Sequence, residues 1–221
     1  MRTFDQIRAI AAERKGGETA LDALLAPDPD APDIRSQTDD RILATMARCI
    51  FQSGFNWKVV EAKWPGFETA FEGFDPGRVA LYSDDDLDRL LADKAVIRNG
   101  AKLSAVIDNA VFVADLARDH GSARAFFETW PADDQVGLMQ LMAARGARLG
   151  GNTGQYVLRF IGRDGFILSR DVVARLTAEG VIDGPATSKR AQAAIQAAFN
   201  AWAAESGRPL REISRTLAFS V

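Results

Sequence analysis

A chain of 221 residues with one cysteine, Cys49, and one histidine, His120, holds no internal disulfide, no Cys/His zinc site and no four-cysteine iron–sulfur cluster, so its chemistry is metal-free or rests on carboxylates. Hydrophobic and charged contents of 47% and 26% are globular values, no uninterrupted apolar run reaches the roughly 18 residues of a membrane span, and Met1-Arg2-Thr3-Phe4-Asp5 opens no secretory signal, so the expected location is the cytoplasm. A net charge of -3 argues against a duplex binder held by phosphate neutralisation alone, which makes the distribution of charge more informative than its sum.

Phe4, Ile7, Ile10 and Ala11, then Ala20, Leu21, Leu24 and Leu25, recur at helical spacing and predict one or two amphipathic helices. Ala26-Pro27-Asp28-Pro29-Asp30-Ala31-Pro32-Asp33 breaks that pattern. Three prolines alternating with acids make an extended linker, so residues 1–34 are expected to be an N-terminal extension ahead of a main domain at 35–221. Thr38-Asp39-Asp40 caps a helix carrying Ile42, Leu43, Met46 and Ile50, which runs into a small polar turn flanked by Phe51 and Trp57. Val59 and Val60 resume the apolar period until Trp64-Pro65-Gly66 stops it. Phe67, Phe71 and Phe74 follow, then a break at Asp75-Pro76, and Ser83-Asp84-Asp85-Asp86 forms a capping box ahead of Leu87, Leu90 and Leu91. Ile97-Arg98-Asn99-Gly100 turns into a helix through Leu103, Val106, Ile107, Ala110 and Val113. Beyond His120, Pro131 marks a helix start leading through Val136 to Met142. An alanine-rich helix from Thr187 to Ala204 ends at Gly207-Arg208-Pro209, and a last one covers Leu210 to Leu217. With no alternating strand and no internal repeat, the fold class is all-α, built from ten to twelve short helices.

The most informative stretch runs from Leu149 to Asp171. Gly150, Gly151 and Gly154 permit a tight bend feeding a helix start, whose unpaired amides are a ready site for a phosphate. Residues 145 to 175 carry six arginines, Arg145, Arg148, Arg159, Arg163, Arg170 and Arg175, against two aspartates, whereas residues 1 to 40 carry nine acids against five bases. A phosphate-binding face on a mildly acidic protein has this footprint, and so does an arginine-rich solvated surface. Asp171 follows Thr153 by eighteen residues. Either the hairpin, about 146–158, holds a nucleic-acid backbone while Asp171 does chemistry beside it, or the segment is an interhelical turn followed by a solvated aspartate.

Gln52-Ser53-Gly54-Phe55-Asn56-Trp57, then Phe67, Ala70-Phe71, Phe74-Asp75-Pro76, Val79-Ala80, Ile97-Arg98-Asn99, Lys102 and Asn109-Ala110, follow one another in an order that resembles the 3-methyladenine DNA glycosylase I family of helix-hairpin-helix DNA glycosylases. Gly121-Ser122, Trp130, Arg145-Gly146, Thr153 and Tyr156 extend the likeness. Leu149 to Val173 is similar to the wider superfamily, in which a glycine hairpin and a threonine precede a catalytic aspartate. The resemblance implies two helical lobes with an active-site cleft between them, Asp171 as the catalytic carboxylate, and Gly150, Gly151, Asn152, Thr153 and Gly154 with Arg148 and Arg170 as phosphate ligands. Asn152 stands where bifunctional members hold a Schiff-base lysine, so no lyase step is implied. Two departures stand out: the family's zinc-binding cysteines and histidines are missing, and Cys49 occupies the position of its base-recognising glutamate.

What the resemblance implies is a monofunctional glycosylase of base excision repair, acting without a cofactor, as a monomer, on double-stranded DNA carrying a damaged, alkylated, 3-methyladenine-like purine. Extruding the base leaves a gap that Gln52 or Phe55 would plug, and the pocket would be walled by Cys49, Phe51, Trp57 and Tyr156, with Trp64 a further candidate. Core packing is the competing reading for each aromatic residue. Cleavage builds positive charge on the sugar, which an ionised Asp171 would stabilise. The competing functional readings are a non-catalytic helix-hairpin-helix damage sensor and an all-helical interaction module with no nucleic-acid role.

Overall fold

The computed structural model describes residues 1–221 as thirteen α-helices and two short 3-10 turns, with no strand. The helices are α1 (Phe4–Lys15), α2 (Glu18–Leu25), α3 (Asp39–Gln52), α4 (Trp57–Ala70), α5 (Pro76–Val79), α6 (Asp84–Ala92), α7 (Gly100–His120), α8 (Ala123–Thr129), α9 (Gln135–Arg145), α10 (Gly151–Phe160), α11 (Arg170–Ala178), α12 (Lys189–Ser206) and α13 (Leu210–Phe219). No helix is long and apolar enough to cross a membrane. The chain divides into two compact units, one of residues 1–31, 131–138 and 164–221, the other of residues 32–130 and 139–163.

In the first unit α13 packs against α1, α2, α11 and α12. Phe4, Ile7, Leu21, Phe199, Trp202, Ile213 and Leu217 are fully buried, and Phe166 stacks on Phe199 at 4.2 Å. Residues 1–31 are therefore part of a hydrophobic core, not the appended extension that the proline-rich linker suggests. The linker does mark a boundary, but the helices before it bury their apolar faces against the C-terminal helices. A polar cluster closes the same unit. Glu179, 6% exposed, accepts hydrogen bonds from the Arg2 amide (2.9 Å), Arg2 Nη1 (2.8 Å) and Arg175 Nη1 (3.2 Å), while Arg175 Nε donates to Ser220 Oγ at 2.7 Å. Burial pushes the Glu179 carboxyl up, but the donors from Arg2 and Arg175 prevail and hold it below the usual carboxylate range.

In the second unit α7, 21 residues long, packs against α3, α5, α6 and α8. Phe51, Trp64, Phe67, Phe71 and Phe74 form one aromatic stack, with successive centroids 4.6 to 6.3 Å apart. Arg41 on α3 grips Glu68 on α4 through two parallel bonds of 2.8 and 3.0 Å, and Trp64 Nε1 donates to the same carboxylate at 2.9 Å.

Several local expectations need correction. The helix expected to end at Trp64-Pro65-Gly66 continues to Ala70. Pro65 removes the amide that would bond the Glu61 carbonyl, yet Trp64 and Phe67 anchor both sides of it in the aromatic stack. Gly66 lies so close to the Ala95 carbonyl that a Cβ there would overlap it at 2.5 Å. Asp75-Pro76, expected as a break, starts the four-residue α5, with the Asp75 carboxylate capping Arg78 N at 3.1 Å. Pro131 opens a turn four residues ahead of α9 rather than the helix itself. The capping box at Ser83 forms as expected. Thr38 occupies the N-cap of α3 without a side-chain bond to the helix amides, its side chain bonding the Asp40 carboxylate; Asp39 beside it instead caps α8, accepting from the amides of Ala123 and Arg124 at 2.9 and 3.3 Å.

Candidate active site

The site in the second unit begins where α3 ends. Helix C-termini leave carbonyls without intrahelical donors, and here a buried lysine supplies them. Lys102 Nζ donates to the carbonyls of Ile50 (2.7 Å), Phe51 (3.3 Å) and Ser53. Its ammonium also lies 4.6 Å from the ring centroid of Phe55, which stands 38% exposed on the turn 53–56. Burial, assisted by the nearby Arg148, lowers the Lys102 pKa. Asn56 then caps α4 by accepting from Lys58 N at 2.9 Å. The turn carrying Phe55 and Trp57 is thus fixed at both ends.

The hairpin between α9 and α10 is fixed from the same helix α7. Asn109, 0% exposed, donates through Nδ2 to the Ala147 carbonyl and accepts through Oδ1 from the Ala147 amide, both at 2.9 Å. Arg148 Nε donates to the Ala101 carbonyl at 3.2 Å. The reversal uses two left-handed residues, Arg148 (φ 58°) and Gly151 (φ 59°). Gly154 serves differently: it is buried in α10 against the Leu149 carbonyl, which occupies the space a Cβ would need.

The end of α3, the start of α4 and the first two turns of α10 form a half-open pocket of about 200 Å³ lined by Cys49, Gln52, Ser53, Trp57, Asn152, Thr153 and Tyr156. Trp57, 48% exposed, meets Tyr156 and Phe160 edge-on at 6.2 and 6.4 Å, while Tyr156 stacks on Phe160 at 5.9 Å. Every lining group is uncharged. Burial pushes the Cys49 thiol up to about 12 against the opposing influence of Arg48, so it is neutral at physiological pH and a poor nucleophile. No group of three or more His, Cys, Asp or Glu side chains is gathered to hold a metal ion.

Of the residues expected in the pocket, Cys49, Trp57 and Tyr156 line it. Phe51 does not: it is fully buried in the aromatic stack 4.6 Å from Phe67, and Trp64 lies in the same stack. Gln52, expected as a plug projecting from the turn, is buried in the pocket wall, with Nε2 donating to Glu61 Oε1 at 2.9 Å. Phe55 is the exposed side chain of that pair. Asn152 and Thr153, expected on a phosphate, line the pocket; Gly150 is the N-cap of α10 and Gly151 its first residue.

The arginine-rich stretch is not one basic face. Arg163 is buried and donates to the carbonyls of Phe127 and Trp130 at 2.8 and 3.0 Å, and Arg175 is buried with Glu179 and Ser220. Arg145 lies over the Phe112 ring at 5.3 Å, whereas Arg170 is exposed. Asp171, in the first unit, occupies the first turn of α11 beyond the Ser169 N-cap, exposed and without a hydrogen bond or ion pair from its side chain. Sequence reasoning missed the positioning roles of Lys102 and Asn109 and the involvement of Ser53 and Glu61. A lysine and an asparagine within an otherwise apolar helical face were the available signal for the first two.

The methyladenine glycosylase family matches residues 34–145, a span that holds Cys49, Gln52, Ser53 and Trp57 but ends before Asn152, Tyr156 and Asp171. DNA-3-methyladenine glycosylase 1 of Escherichia coli K12 is 37% identical over 59 residues, which is 27% of this chain and 32% of that protein; the chain spans about a third of the length of the curated relatives it matches. Among solved structures, 3-methyladenine DNA glycosylase I in complex with 3-methyladenine superposes with a TM-score of 0.53 at 18% identity, covering 69% of this chain and 90% of the other. The 8-oxoguanine glycosylase/lyase of Methanocaldococcus jannaschii, solved with DNA, superposes with a TM-score of 0.56 at 14% identity over 97% of this chain and 96% of its own. At these identities the structural likeness establishes the fold, that of the helical DNA glycosylases.

Proposed function

Because the chain belongs to the methyladenine glycosylase family, we propose that it is a monofunctional DNA glycosylase of base excision repair, which extrudes a damaged, alkylated, 3-methyladenine-like purine and hydrolyses its N-glycosidic bond. The observation that carries this reading is the pocket: a half-open concavity of about 200 Å³ walled by aromatic faces and neutral polar groups, with an exposed phenylalanine on the adjoining turn. Phe55 fills the gap left in the duplex, and the extruded base stacks against Trp57 and Tyr156, each stacked base being worth roughly 1–3 kcal/mol against the cost of flipping. Backbone amides at Gly150, Gly151, Asn152 and Thr153, which precede the first intrahelical bond of α10, hold phosphates of the DNA backbone together with Arg148 and Arg170, whereas Gly154, buried against the Leu149 carbonyl, is not among them.

The bond from the sugar C1′ to the base nitrogen breaks as a water oxygen bonds to C1′; methylation at N3 has already made the base cationic, so it takes the bonding electron pair and leaves as the neutral purine, while the proton lost by the water passes to solvent. Asp171, ionised, stabilises the cationic sugar and orients the water. A Schiff base needs a free amine at the sugar. The pocket has Asn152 at the relevant turn, and the Lys102 ammonium is committed to three carbonyls, so no lyase step follows hydrolysis. We take the protein to act as a cytoplasmic monomer on double-stranded DNA.

The experiment is incubation with alkylated DNA and with duplexes carrying single lesions, followed by chromatography of released bases and borohydride trapping. The expected result is free alkylated purine, an intact strand at the abasic site and no trapped adduct. One observation favours a second reading, a damage sensor without catalysis: no carboxylate lines the pocket. Lesion-selective binding with no released base from any duplex would establish that reading instead.

A further inference from the structure

Gln52 is the last residue of α3, 7% exposed, and one wall of the pocket. Its orientation is dictated by its neighbour. An ionised carboxylate only accepts hydrogen bonds, so the group 2.9 Å from Glu61 Oε1 must be the Gln52 amide nitrogen, and the carbonyl oxygen is turned the other way. That oxygen has no hydrogen-bond partner within the protein. Glu61 is itself restrained, with Arg48 Nε 3.7 Å from the same carboxylate oxygen and the Arg48 guanidinium 4.3 Å over the Trp64 ring.

The remaining polar groups of the wall are ambivalent. Ser53, Thr153 and Tyr156 hydroxyls rotate to donate or accept, Asn152 offers both functions of its amide, and the Cys49 thiol is a weak partner either way. Gln52 alone presents a polarity fixed in advance. We propose that Gln52 is a specificity-determining residue: its side-chain carbonyl, set by Glu61, accepts a hydrogen bond from an exocyclic amine of the extruded base, so the pocket takes amino-bearing, adenine-type lesions in preference to their oxo counterparts. The inference rests on the glycosylase reading above and narrows its substrate class. An oxo group in the same position would set lone pairs against lone pairs and leave a buried acceptor unmatched.

Two free bases test this on the full-length chain: 3-methyladenine and 3-methylhypoxanthine, which carry the same methyl group and differ in the amine or oxo group at the ring. Calorimetric titration is expected to show the amino base binding tighter by roughly tenfold, the discrimination given by one unmatched buried hydrogen-bonding group. Glu61→Gln replaces an obligate acceptor with an amide that serves either way, frees Gln52 to turn over, and is expected to bring the ratio close to one while both bases still bind. Glu61 is half-exposed, so this variant is expected to fold, with circular dichroism as the check; Gln52→Leu is the second variant and should also abolish the preference. Equal affinities in the wild type, tighter binding of the oxo base, or an unchanged ratio in folded Glu61→Gln would each overturn the role of Gln52. If alkylated DNA is cleared of amino and oxo lesions at equal rates, the role of Gln52 falls and the glycosylase reading stands. If neither base binds and no lesion is excised, both fall together.

Discussion

Two polar clusters, one in each unit, put the same kind of side chain to opposite uses. Around Glu179 a buried carboxylate receives three hydrogen bonds from Arg2 and Arg175, and Arg175 passes on to Ser220, so the cluster is answered from within the protein. Around the pocket, Gln52 is answered on one side only, by Glu61, and its carbonyl has no partner within the protein. Buried polar groups cost stability unless matched. A cluster that closes on itself therefore serves the fold, whereas one left open in a concavity is available to a ligand.

That contrast can be broken or sharpened by substitution. The largest effect is expected from Asp171→Asn, a change at an exposed residue without side-chain partners that should leave stability unaltered. Base release measured under single-turnover conditions should fall by two to three orders of magnitude, roughly the scale for losing one preorganised electrostatic contact to a transition state, while binding to abasic-site DNA persists. A wild-type rate would remove Asp171 from the mechanism.

Glu179→Gln is next and should act on stability alone. Leaving Arg2 and Arg175 without their carboxylate should cost about 3 kcal/mol in urea unfolding. The pH dependence has a definite sign: because the folded-state carboxyl lies below its ordinary value of 4.5, its stabilisation is complete above that pH and is lost as pH falls through the lower folded-state value. In the variant this acid limb should flatten, and an unchanged limb would assign it to other groups.

Trp57→Ala should weaken affinity for lesion DNA roughly tenfold through lost stacking with little change in unfolding free energy, since the side chain is half-exposed; a purely stabilising role would show the reverse. The smallest effect is expected from Arg170→Ala. Salt titration of DNA binding should lose about one phosphate contact from its slope, and an unchanged slope would place Arg170 off the DNA.

Much of the fold was legible because helix signals are local. The box at Ser83, the glycine stop at Gly207 and the apolar periods of α3 and α7 each act within a turn or two of chain. Pro65 misled because what carries the helix past it is tertiary, the aromatic stack and the approach of Ala95. The first 31 residues misled for a related reason, since a proline-rich linker announces a boundary without saying what packs with the segment before it.

At the site, aromatic residues could be found but not sorted. Phe51 and Trp57 flank the same turn, and only the third dimension buries the one and leaves the other open. The arginines divide the same way: composition collects Arg163 and Arg170 into one patch, whereas carbonyls hidden in distant sequence claim the first. The Gln52 to Glu61 bond joins two helices and has no signature in either.

The helix α7 carries a further implication. Lys102 secures the turn after α3, and Asn109 secures the hairpin before α10. They are seven residues apart, two turns along one face of a rigid rod, a separation of roughly 10.5 Å. The two walls of the pocket are therefore gauged by a common ruler, and the gap between them is written in residue count rather than in loop length. One residue inserted between Lys102 and Asn109 would swing the two fastenings about 100° apart around the rod, so this interval should be far less tolerant of length change than either loop it holds.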